Sequence, residues 1–114
     1  MGKATSALRS QVEALARVKR FIEKARAKCR ALGWELLEVF LVGSRARGDY
    51  LVESDVDLVL VVRGVKGLNA IERLEALKDI LEPGIEPRVY DVEEWKTGES
   101  AWIRELRKEA VKIE

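Results

Sequence analysis

The sequence predicts an α/β fold of the α+β kind, a small mixed β-sheet of three to four strands flanked by helices, in one domain over residues 1–114. Three observations point there. The chain of 114 residues is long enough for one hydrophobic core and too short for two. Some segments carry apolar side chains at three- and four-residue steps, whereas others are short runs rich in β-branched residues. Gly and Pro separate them, and a composition of 47% hydrophobic and 36% charged residues is that of a globular chain.

Residues 4–31 open with Leu8, Val12, Leu15, Ile22, Ala25, Cys29 and Leu32 on one helical stripe, and Gly33 stands where a helix C-cap is expected. Leu36–Val42 is a mostly apolar run that predicts a buried strand ending at Gly43-Ser44. The polar stretch after it reads as a connection. Asp55–Val62 predicts a second strand, with Asp55, Asp57, Val59 and Val61 on one face and Val56, Leu58, Leu60 and Val62 on the other. Asn69 and Glu72 have capping-box spacing and open a helix expected to reach Leu81, with Ile71, Leu74, Leu77, Ile80 and Leu81 inward. After a turn at Pro83-Gly84, Ile85–Tyr90 predicts a third strand, placed at a sheet edge by Pro87. Asp91 and Glu94 repeat the capping-box pattern before Val92–Lys96, and Ser100–Glu109 predicts a helix carrying Trp102, Ile103 and Leu106. Val111–Ile113 is a terminal strand or tail. Trp34, Trp95 and Trp102 read as core or edge packing rather than base-stacking platforms, with Trp95 and Trp102 also candidates for an interface.

Composition excludes several chemistries. The chain has no His, which removes Ser-His-Asp and Cys-His machinery and imidazole metal ligands, and its single Cys, Cys29, rules out an internal disulfide. Acid–base or metal chemistry must run on carboxylates. No apolar run approaches the roughly 20 residues that span a bilayer, and no signal-type core follows Met1, so no membrane association and a cytoplasmic location are expected. Residues 1–30 hold nine Lys/Arg against two acids, a charge of +7, and the rest carries −6. That asymmetry reads first as a solvated helix face and second as a patch for an acidic partner.

The run Gly43–Asp57, GSRARGDYLVESDVD, carries the chemistry. Asp55 and Asp57 are two apart at a strand start, so both carboxylates face one spot. Adjacent anions there require a cation, and hard oxygen ligands without His or Cys select Mg²⁺ or Mn²⁺. Across from them, Gly43 permits close backbone approach, the Gly43–Ala46 amides and the Ser44 hydroxyl can donate to phosphate oxygens, and Arg45 and Arg47 add positive charge.

Gly43-Ser44, a ten-residue gap, then Asp55-Val56-Asp57-Leu58 resembles the signature of the DNA polymerase beta-like nucleotidyltransferase superfamily. The fuller string GSRARGDY…SDVDLVL is similar to its minimal nucleotidyltransferase branch, small domains often encoded beside a helical HEPN-domain protein. The resemblance implies a nucleotidyltransferase-like fold in which Gly43 and Ser44 hold the triphosphate and Asp55 and Asp57 bind two divalent metals. It also implies a third carboxylate on a later strand. Glu86 is the candidate, although the family has Asp there and Pro87 follows it; Asp91 is the substitute, with a helix N-cap as its competing role.

The implied reaction is transfer of a nucleoside monophosphate, AMP from ATP, to a protein or small acceptor hydroxyl. Within the minimal branch it implies the antitoxin of a HEPN/MNT toxin–antitoxin pair, with a HEPN-type helical partner. The alternative is a catalytically weak or inactive module that binds nucleotide and neutralises a partner by occlusion. A homo-oligomer stays open, and nucleic acid ranks last among partners because the basic helix lacks aromatic interleaving.

Overall fold

The structure, a computed structural model, describes residues 3–114. Helix α1 (Lys3–Ala31) leads to β1 (Glu35–Val42), a short α2 (Ser44–Arg47), β2 (Val56–Arg63), α3 (Ala70–Ala76), β3 (Ile85–Asp91), α4 (Val92–Thr97), α5 (Ala101–Glu109) and β4 (Val111–Lys112). The sheet order is β3-β2-β1-β4, with β1 antiparallel to both β2 and β4 and β2 parallel to β3. The fold is the expected mixed sheet flanked by helices, and β3 lies at its edge, where Pro87 removes no ladder hydrogen bond toward a further strand.

The alternation in β2 assigns the two faces. Val56, Leu58, Leu60 and Val62 pack beneath Val18, Phe21, Ile22, Ala25 and Cys29 of α1, with Leu77 at the end of α3. Val59 and Val61 face the other way and join Val42, Trp95, Ile103 and Leu106 under α4 and α5. Both faces are covered, which is why β2 reads as nearly continuous apolar sequence.

Four sequence expectations need correction. Leu8 and Val12 are exposed, and Val18 and Phe21 serve the core instead. A 29-residue helix is about 43 Å long and an eight-residue strand about 27 Å, so the first turns of α1 have no sheet beneath them. Helix α3 stops at Ala76. The Leu77, Lys78 and Ile80 amides bond three residues back (3.0–3.2 Å), a tightening that ends the helix ahead of Pro83; Leu81 beyond it is exposed, as is Ile71 in the first turn of α3. The connection after Gly43 contains α2. Finally, Asp55 precedes β2 rather than opening it.

Three basic residues of α1 pair with later acids: Arg17 with Glu82 (3.2 Å), Arg26 with Glu114 (3.3 Å) and Lys28 with Asp79 (3.0 Å). These half-exposed pairs fit the solvated-face reading and add little stability individually.

Candidate active site

The site forms where β1 ends and β2 begins. Asp57 is the ladder partner of Val42 on one side and of Glu86 on the other, so the antiparallel and parallel registers set it between the Gly43 bend and β3. Gly43 has φ +75°, and a Cβ there would run into the Asp57 carboxylate, 3.1 Å from its Cγ and closer still to Oδ2. Only glycine lets the chain turn this tightly against that side chain.

Asp57 and Asp55 act on Glu86. The Glu86 carboxyl is held above the ordinary carboxylate range, chiefly by the negative charge of Asp57, then by burial and by Asp55, with Arg88 opposing. Carboxylates that disfavour one another's charge form a site that a cation would relax. Among the described residues no three such groups are already arranged around a common metal-binding point. The donor set nevertheless fits a hard divalent cation, being all oxygen and mutually repelling. Beside these acids a cleft of about 520 Å³ opens at the β3 edge, shared by Asp55 and Glu86 and floored by Leu74, Leu81, Ile85 and Pro87.

Opposite lies the bend. Ser44 opens α2, its hydroxyl half-buried, and Gly48 closes that helix in the left-handed region at φ +90°. Two of the four amides expected as phosphate donors are committed elsewhere: Ala46 N–H donates to the Gly43 carbonyl (3.1 Å), and Gly43 N–H donates to a carboxylate oxygen of Glu109. Arg47 remains beside the bend, half-exposed, paired with Glu109 (3.2 Å) and Asp49 (3.3 Å).

Arg45 departs from expectation. Its guanidinium is buried and donates to Gln11 Oε1 (2.9 Å), Ser10 Oγ (3.0 Å) and the carbonyls of Ser54 (3.0 Å) and Val52 (3.2 Å), and it stacks over Tyr50. It clamps α2 and the 49–54 connection to α1, away from the bend. Two arginines two residues apart on a helix turn point in different directions, and here one faces the body.

Asp91 is resolved as structural. It is buried and caps α4, accepting from Glu93 N–H (3.0 Å), while Glu94 reaches back to Asp91 N–H (2.8 Å). Glu94 also receives both arms of buried Arg73 (2.7 and 3.2 Å). Glu86 is therefore the strand carboxylate that faces Asp57. Glu109 escaped the sequence reading, since nothing in its neighbourhood links the end of a helix to a bend 66 residues earlier.

A structure similar to this one is that of a protein from Sulfolobus solfataricus described as a "putative nucleotidyltransferase", 31% identical, with a TM-score of 0.75 over 98% of this chain and 89% of that one. No curated protein matches the chain. Residues 18–113 match the family model described as the nucleotidyltransferase domain, a span that holds the Gly-Ser bend, both aspartates, Glu86 and Glu109. The chain belongs to the nucleotidyltransferase domain family.

Proposed function

We propose that the protein transfers a nucleoside monophosphate, AMP from ATP, to a hydroxyl of a protein or small acceptor. The observation that carries this reading is the strand register that sets Asp57 between the Gly43 bend and Glu86, with Asp55 bordering the same cleft as Glu86. A divalent ion, Mg²⁺ or Mn²⁺, would be held by these three carboxylates; when bound it lowers the pKa of the acceptor hydroxyl and offsets the charge of the leaving pyrophosphate.

The chain's own residues do the rest. Ser44 and Arg47 hold the β- and γ-phosphates, and the cleft shared by Asp55 and Glu86 admits the acceptor from the opposite side. The acceptor oxygen bonds to the α-phosphorus as the α–β phosphoanhydride bond breaks, in line, and pyrophosphate leaves toward Arg47. A Glu86 carboxylate oxygen accepts the hydroxyl proton, a role that fits its place across the parallel register from Asp57 and on the cleft that admits the acceptor. The biological setting we propose is that of an antitoxin modifying a HEPN-type helical partner.

One observation favours a second reading. Glu109 already occupies the Gly43 N–H and Arg47, as a phosphate would, which suits a module that neutralises its partner by occlusion with little turnover. Incubation with α-labelled ATP and Mg²⁺, with and without the product of the neighbouring gene, separates the two. Label on an acceptor that disappears in Asp57→Asn supports transfer. Equal neutralisation of the partner by wild type and Asp57→Asn, with no label, supports occlusion.

A further inference from the structure

Helix α5 links the two ends of the site. Its last residue, Glu109, touches the Gly43 bend and Arg47. Its second, Trp102, lies seven residues and about 10 Å of helix rise away. There the indole sits with the Arg88 guanidinium 5.7 Å from its ring centroid. Arg88 is two residues beyond Glu86 on β3, hence on the same face as the carboxylates, and its charge is felt by Glu86. Ile103 and Leu106 anchor α5 in the core, and Tyr90, next on that face of β3, stacks on buried Trp95 (5.8 Å). The platform is thus rooted, yet Trp102 itself is 58% exposed. Trp95 is buried and Trp34 packs against the core, as expected, whereas Trp102 stands at the edge beside Arg88 and Tyr90 with most of its surface open.

We infer that the Trp102–Arg88 pair is the nucleobase subsite, on which the base of the bound nucleotide stacks. This rests on the proposed triphosphate placement. Pyrophosphate leaves on the β1 side and in-line attack brings the acceptor through the β3 cleft. Arg88 borders that cleft but Trp102 does not, so a base stacked on the pair lies at the cleft's rim, beyond the carboxylates on this face of the sheet. A ring face and a guanidinium plane read the area of a base rather than its edge, so the subsite favours purines over pyrimidines and treats adenine and guanine alike.

The test is calorimetric titration of the full chain with MgATP, MgCTP and magnesium tripolyphosphate, which lacks a base. Wild type binds ATP more tightly than CTP. Trp102→Ala weakens ATP about tenfold or more, CTP less, and tripolyphosphate not at all, and Trp102→Phe recovers most of the ATP affinity. The exposure of Trp102 keeps these variants folded, which their thermal melts check. Unchanged ATP affinity in Trp102→Ala, or an equal loss for tripolyphosphate, overturns the inference and leaves the phosphate cradle standing. Wild type that binds neither ATP nor tripolyphosphate overturns both.

Discussion

Replacing Gly43 by alanine tests whether the bend is shaped by Asp57, and Gly48→Ala supplies the control. Both glycines have positive φ, but Gly48 is left-handed helical (φ +90°, ψ 3°) and a Cβ there meets nothing within 4 Å, whereas Gly43 (φ +75°, ψ −158°) has a backbone essentially restricted to glycine and a Cβ there strikes the Asp57 carboxylate. Left-handed backbone costs an L-residue about 1–2 kcal/mol, and the reduced freedom of the unfolded chain returns roughly 0.4–1. Gly48→Ala therefore loses about 1 kcal/mol. Gly43→Ala must also hold a glycine-only backbone and drive Asp57 off its rotamer, together a further cost of about 1–2 kcal/mol. With an unfolding entropy of about 2.1 cal/mol/K per residue over 114 residues, each kcal/mol lowers Tm by about 4 °C. Circular dichroism melts should fall by about 4 °C for Gly48→Ala and about 8–12 °C for Gly43→Ala, and metal-dependent ATP binding should fail only in the latter. Equal melts for the two variants, or Gly43→Ala with wild-type ATP affinity, would refute the reasoning.

The other predictions concern the acids and the arginines. Because Asp57 and Asp55 raise Glu86, its contribution to stability is present below its unfolded value near 4.5 and is lost as pH rises through the higher folded value. Without metal, the wild-type Tm should fall over that window relative to Glu86→Gln, and Asp57→Asn should shrink the difference; matching profiles would contradict the coupling. Arg45→Ala should lower Tm through the loss of its clamp while sparing tripolyphosphate affinity, whereas Arg47→Ala should do the reverse, as melts and calorimetry will separate. Arg73→Met removes a buried partner of Glu94 and of the Val65 and Val89 carbonyls, so it should cost about 3 kcal/mol, roughly 12 °C in Tm, without changing ATP affinity.

The backbone course was legible because its signals are local. Asn69 with Glu72 and Asp91 with Glu94 cap helices as their spacing says, and Pro87 marks an edge strand. The Gly-Ser and Asp-x-Asp spacing was legible for the same reason, each half sitting at the end of its own strand. Leu8 and Val12 misled because periodicity reports an apolar face, not whether anything lies beneath it.

By itself the sequence determined the mixed sheet, the absence of His that leaves carboxylates as the candidate acid–base and metal groups, and the spacing of a Gly-Ser bend from two aspartates. Tertiary structure alone decided which arginine stays at the bend, that Glu109 meets Gly43 from 66 residues away, that Glu86 stands across the parallel register from Asp57, and that Trp102 meets Arg88 in the open. The physical reason is range: helix and strand periods act between residues a few positions apart, whereas side-chain partners are chosen by which elements pack together after the chain has closed its long loops.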